Sequence, residues 1–214
     1  MTPHEFMRAI IDEYRRARLT GRELPNVRRG RSRAISSRAE EYLAEYLVTS
    51  DPTLDLIYVD QPIRLPAGVI GNARTLQRYP DLVLIRNDCV DTLIDLKMDL
   101  GWSRNKMREL CQKHTQTVEF FAGQTGKLKD GQTKSEHTYQ FSNNLRYFIV
   151  VVSGMNITQS KLKSQLDAAI LFEPRVRVLV LSNNQHPNSY DLSPEETLRK
   201  MKVSDEAFNS LTYG

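Results

Sequence analysis

Residues 78–98 read RYPDLVLIRNDCVDTLIDLKM. Two apolar runs flank a polar turn, and charges sit at their outer ends: Asp81 opens the first, while Asp95 and Lys97 close the second. In a strand, residues two apart share a face, so Asp95 and Lys97 point one way and Leu96 the other. If Asn87-Asp88 formed a two-residue loop, residue 80 would face 95 and Asp81 would fall on the opposite side. A three-residue connection over 87–89, or an equivalent bulge, sets Asp81 directly opposite Asp95, with Cβ atoms about 4.5–5.5 Å apart. Two carboxylates that close repel each other unless a cation sits between them. The pattern therefore predicts the odd-length connection and, across it, a hard divalent ion bound through oxygens.

A third acid comes from helix geometry. In the segment from Ser36 or Ser37 to Val48, Ala39, Leu43, Tyr46 and Leu47 define an apolar stripe. At about 100° per residue, Glu40 lies about 60° from Leu43 and faces inward, whereas Glu41 and Glu45 fall about 160–200° away, toward solvent. An inward acid is costly unless it is paired or bound to metal. Glu40 is the candidate, with an ion pair to a nearby arginine as the alternative.

Tyr79-Pro-Asp81, followed after thirteen residues by Asp95-Leu-Lys97, each at a strand, resembles the PD-(D/E)XK nuclease superfamily. The likeness covers roughly Ser36 to Leu181. It implies a restriction-endonuclease-like core (αβββαβ), a mixed central β-sheet flanked by helices, whose first helix often carries a further glutamate. It also implies metal-dependent hydrolysis of a phosphodiester. Asp81, Asp95 and the backbone carbonyl of Leu96 would hold Mg²⁺, with Mn²⁺ able to substitute, and Glu40 would complete the shell. Lys97 would orient or deprotonate the attacking water and neutralise charge developing on the phosphorane. The protein so implied is a DNA endonuclease of the type II restriction kind, acting on duplex DNA. A homodimer would suit the cutting of both strands of a palindrome, and a companion DNA methyltransferase would fit that role. A structure-selective repair or resolvase-type nuclease and a non-catalytic DNA-binding subunit of the same fold are the alternatives.

The elements that must position these residues follow from the hydrophobic pattern. Phe6, Ile10, Ile11 and Tyr14 predict a helix over 4–19, stopped by Gly21. A basic loop, Pro25 to Arg33, precedes the Glu40 helix, which Asp51-Pro52 ends. Leu54 to Val59 reads as a strand, and residues 60–78, with Pro62, Pro66, Gly68 and Gly71, as a long loop. After the hairpin comes a helix from Ser103 to about Phe121, then a polar stretch from Gly123 to Ser135 that is expected to protrude or be mobile. Arg146 to Val152 and Val176 to Leu181 are continuous apolar runs, hence buried strands. Between them Thr158 caps a helix to Leu171, which Pro174 breaks. Ser193-Pro-Glu-Glu starts a last helix. The expected architecture is one α/β domain over 1–214: a basic helical extension (1–34), a catalytic core (35–182) and a helical tail (183–214).

Length and composition fit such a domain: 214 residues, 40% hydrophobic and 26% charged. The net charge is only +4, but its distribution is uneven. From Glu5 to Arg38 ten arginines face four acids, and arginine's planar fork suits phosphate. Candidate DNA-contacting residues are Arg28, Arg29, Arg31 and Arg33 in the basic loop, Arg74 and Arg78 in the 60–78 segment, Arg104 and Lys106 on the helix after the hairpin, and Lys127. His114 falls with that helix's basic residues. Two cysteines without metal spacing, and no long apolar span or secretory leader, point to a reducing cytoplasm and away from a membrane. Gly123-Gln-Thr-Gly-Lys127 is no phosphate loop, because Leu128 stands where Ser or Thr must bind Mg²⁺.

Overall fold

The computed structural model describes residues 1–19, 34–68, 75–101, 106–131 and 133–212. Arg28, Arg29, Arg31, Arg33, Arg74 and Arg104 lie outside them. In chain order the elements are α1 (Pro3–Leu19), α2 (Ser36–Ser50), β1 (Leu56–Val59), β2 (Ile63–Leu65), β3 (Leu76–Arg78), β4 (Leu82–Arg86), β5 (Cys89–Asp99) and α3 (Met107–Phe121). They continue as β6 (Thr125–Lys129), β7 (Glu136–Ser153), α4 (Gln159–Ala169), β8 (Val176–Val180), β9 (Ser182–Asn183), α5 (Pro194–Lys200), β10 (Lys202–Val203) and α6 (Asp205–Thr212).

One mixed sheet organises the molecule, in the order β1-β4-β5-β7-β6-β2-β3 with β8 also on β7. β1, β4 and β5 form an antiparallel meander, and the crossovers through α3 and α4 make β5, β7 and β8 parallel. The apolar runs in β4 and β7 are buried on both faces because helices cover both. Leu82, Leu84, Ile94, Leu96, Phe148 and Val150 pack beneath α1, α2 and α6. Their neighbours Val83, Ile85, Leu93, Ile149 and Val151 pack beneath α3 and α4. This alternation fixes which face each polar residue of the hairpin can occupy.

The predicted order of helices and strands holds, but several segments differ in detail. Residues 60–78 are not one loop: β2 and β3 pair with each other, and β2 also pairs with β6. The polar stretch after Gly123 is likewise ordered, as β6 against the first half of β7. Together they form a wing whose inner face carries Ile63, Leu65, Leu128 and Phe141. Gly126 lets β6 approach closely, since a Cβ there would come within 2.6 Å of the Phe141 ring and 2.7 Å of the Arg64 carbonyl. Neither Ser36 nor Ser37 caps α2. Its cap position is Ile35, buried in the core without a side-chain cap, so burial outweighs capping there. Thr158 does cap α4, and Ser193 with Glu196 forms a full capping box on α5.

The terminal helices belong to the core rather than hanging from it. Phe6 of α1 packs edge-on against Phe208 of α6 and Tyr46 of α2. The α1 arginines are largely engaged within the chain: Arg8 with Asp12 and Glu195, Arg15 with the Leu192 carbonyl, Arg18 over the Tyr190 ring. Among the described residues no helix is long and apolar enough to cross a membrane.

Candidate active site

The hairpin reaches the required register by a different route from the odd-length connection. Its loop is the two-residue Asn87-Asp88, both at positive φ (50° and 58°), a conformation that Asn and Asp tolerate best among residues with a Cβ. Arg86 pairs with Cys89 and Ile85 with Val90, the register that would put Asp81 on the wrong face. The ladder then shifts by one: Leu84 pairs with Thr92, Val83 with Leu93, Leu82 with Ile94. Asp91 is the extra, bulged residue. Leu82–Ile94 is the last pair; just beyond it the Asp81 N–H donates to the Ile94 carbonyl at 2.9 Å, and the Asp81 carboxyl meets that of Asp95.

Charge pins the bulge. Arg86 and Arg146 both donate to Asp91 Oδ2, the latter at 2.9 Å, and Thr92 Oγ1 donates to it at 2.8 Å. Arg86 also donates to Asp51 Oδ2 at 2.6 Å, tying the hairpin to the end of α2.

β4 begins at Leu82 while β5 runs on to Asp99, so beyond Ile94 no described strand pairs with that edge of β5. There the Leu96 N–H donates to Asp81 Oδ2 at 2.5 Å. Ile94 and Leu96 direct their backbone groups to the same edge, so the Leu96 carbonyl emerges beside Asp81 past the end of β4. Asp95 Oδ2 takes Lys97 Nζ at 2.7 Å and lies 3.5 Å from His114 Nε2. Burial works against ionising Asp95, but His114 and the Lys97 ammonium outweigh it and hold the carboxyl below its usual range. Burial and the facing Asp95 push Asp81 the other way, to about 7, against the opposing Leu96 N–H. The chain thus supplies enough positive charge for one of the two facing carboxylates.

Glu40 is half-buried and turned toward this cluster. Its carboxyl is raised by burial, by Asp60 and by Asp95, with Lys97 opposing. Among the described residues the nearby arginine, Arg38, pairs with the neighbouring Glu41. Asp60, which the sequence pattern did not single out, stands one residue beyond β1, and its N–H donates to the Asp81 carbonyl at 2.7 Å. Its only sequence signal was an acid at a strand end, like Asp81 itself.

His114 corrects an expectation. Rather than joining an exposed basic face, it is 5% exposed and its ring stacks on Tyr147 at 3.9 Å. Burial lowers its pKa, with Asp95 opposing. The spacing Met107, Cys111, His114, Val118, Phe121 is a helical inward stripe that contains it.

Of the described cations, Arg78 turns to the inner face of the wing opposite Ile63, where Tyr147 feels its charge together with that of Asp95 and Asp81. Lys106 is exposed at the start of α3. Lys127 is exposed on β6 and pairs with Glu136 at 3.1 Å.

Two facing carboxylates and a free-edge carbonyl are a hard oxygen donor set. Among the described residues no three His, Cys, Asp or Glu side chains converge as a ready metal cage. Compared with family models, curated proteins and solved structures, the chain matches none.

The raised Asp81 carboxyl has a pH consequence. Its pKa is higher folded than unfolded, so its stabilising protonation is complete below about pH 4 and lost as pH rises through about 7. In metal-free denaturant titrations, Asp81→Asn is expected to gain on the wild type steadily from pH 4 to pH 8. A gap that stays constant would mean that neither burial nor Asp95 raises the Asp81 carboxyl.

Proposed function

We propose that the protein is a Mg²⁺-dependent DNA endonuclease of the PD-(D/E)XK kind, acting site-specifically in the manner of a type II restriction enzyme. The observation that carries the reading is the bulge-set register, which brings Asp81 opposite Asp95 at an open strand end with Lys97 two residues on. The order α2-β1-β4-β5-α3-β7 supports it, since it corresponds to the αβββαβ core of that family. Asp81, Asp95 and the Leu96 carbonyl would hold the ion, with Glu40 reaching it directly or through water. Bound there, a divalent ion polarises the scissile phosphate and lowers the pKa of a coordinated water.

The chain's own groups do the rest. Lys97 sits on Asp95 with its remaining protons free to orient the attacking water and to face the charge that develops on phosphorus. Water attacks phosphorus, the P–O bond to the leaving oxygen breaks, the attacking water passes its proton to bulk water, and the leaving oxygen takes one from solvent. Arg78 on the inner wing and Lys106 and Lys127 outside it would contact the phosphate backbone, which accounts for most affinity for duplex DNA. A two-fold homodimer would present two such sites to a palindrome.

The test is a substrate panel with Mg²⁺, Mn²⁺ or chelator: supercoiled plasmid, phage DNA, a four-way junction, single-stranded DNA and RNA. Discrete metal-dependent fragments of duplex DNA are expected. Cutting confined to the junction would replace this reading with a structure-selective nuclease. Salt-sensitive binding without cutting of any substrate would replace it with a DNA-binding subunit.

A further inference from the structure

Building on the nuclease reading, we propose that His114 is a positioning residue for Asp95: its Nε2–H and the Lys97 ammonium together hold Oδ2, leaving the other carboxylate oxygen for the divalent ion.

His114 occupies a position where its helix needs only an apolar residue. Its neighbours on the inward stripe, Met107, Cys111, Val118 and Phe121, are buried and apolar, and the buried Thr117 satisfies its hydroxyl on the Lys113 carbonyl of its own helix. A histidine here places a polar nitrogen in the core, and Nε2 is fully buried with no hydrogen-bond partner within bonding geometry. Such an orphan is costly and calls for an explanation. The nearest acceptor is Asp95 Oδ2, 3.5 Å away. That gap is a few tenths of an ångström beyond a normal hydrogen bond, and such contacts tighten when a site fills.

The ring is aimed as well as buried. It lies on the Tyr147 ring at 3.9 Å with an interplanar angle of 23°, so Tyr147 fixes the plane in which Nε2 points. Tyr147 is held by its strand, which pairs with Leu93 of β5 two residues before Asp95. The carboxylate and its donor are therefore mounted on adjoining strands and the helix above them. A neutral imidazole donates through Nε2–H as well as a charged one does, so the role needs no titration. Outer hydrogen-bond donors of this kind orient a ligating carboxylate and set metal affinity.

Two variants separate positioning from packing. His114→Phe keeps a ring on Tyr147 and removes the donor; His114→Gln keeps a donor of similar reach and removes the ring. Mn²⁺ binding to the DNA-free protein is measured by titration calorimetry, alongside metal-free melting of each variant. His114→Phe is expected to weaken Mn²⁺ binding about 10–100-fold while melting no lower than the wild type, and His114→Gln to recover most of the affinity. Wild-type affinity in His114→Phe would overturn the positioning role and leave the nuclease reading standing. Affinity that falls only in step with lost stability would make His114 a packing residue and also overturn it. A wild type that binds no Mn²⁺ would remove the metal site and both readings with it.

Discussion

Asp95→Asn is expected to abolish DNA cleavage, by about 10³-fold or more, while leaving duplex binding intact or tighter. The substitution keeps the shape of the side chain and a partner for Lys97 and His114, but deletes the charge that those two groups hold ionised. If the carboxylate helps to hold the ion, what is lost is several kcal/mol of stabilisation of charge in the transition state; a factor of about 10³ corresponds to about 4 kcal/mol. Binding should not suffer, because a negative charge beside the phosphate path has gone. Single-turnover cleavage of plasmid, with binding measured separately in chelator, checks both halves. Cleavage within about tenfold of the wild type would place the chemistry elsewhere.

Asp91→Ala is expected to destabilise the protein by about 3 kcal/mol, lowering the melting temperature by about 6–12 °C. Asp91 is the common acceptor of Arg86 and Arg146, whose side chains are only 13% and 20% exposed. Removing it leaves Arg146 without a carboxylate beside an Arg86 that keeps only Asp51, the costly half of a buried ion pair. Neutralising one of them in the same protein, as in Asp91→Ala with Arg146→Met, should restore part of the loss. The functional consequence should exceed the stability loss, because the bulge that Asp91 anchors is what turns Asp81 toward Asp95. Cleavage by folded Asp91→Ala at the wild-type rate would show that the register survives without its clamp. Equilibrium denaturation of the single and double variants measures the stability; a loss under about 1 kcal/mol would make the network ornamental.

The same bulge shows where sequence reading stopped. The requirement that Asp81 share a face with Asp95 was legible from the two-residue period of a strand, and so was the alternative of a bulge. The choice between them was not. Asn87-Asp88 is a sound local signal for a two-residue turn, and it is obeyed. What restores the register is an aspartate held by arginines 5 and 55 residues away, one of which also grips Asp51 at 35. No local pattern encodes a contact of that range.

β2, β3 and β6 escaped notice for a related reason. Each is 3–5 residues long, is flanked by turn-forming residues, and becomes a strand by pairing with the others and with β7. The long elements were readable because their own periodicity is strong: β7's apolar run, the stripe of α2 that turned Glu40 inward, the capping box of α5. His114 carries a basic residue's signal in its type and a core residue's in its spacing, and the spacing decides where it sits. Asp60 and the distant partners of Arg8, Arg15 and Arg18 (Glu195, the Leu192 carbonyl and Tyr190) depend on segments folding back from elsewhere in the chain, and these no window of sequence reveals.

The most direct test of the central claim is nicking and linearisation of supercoiled plasmid by the wild type and by Lys97→Ala, with Mg²⁺ or with chelator. Metal-dependent cleavage by the wild type that is lost in Lys97→Ala, with melting temperature preserved, is the predicted result. Cleavage that survives in chelator or in Lys97→Ala, or a wild type that cuts no DNA at all, would contradict it.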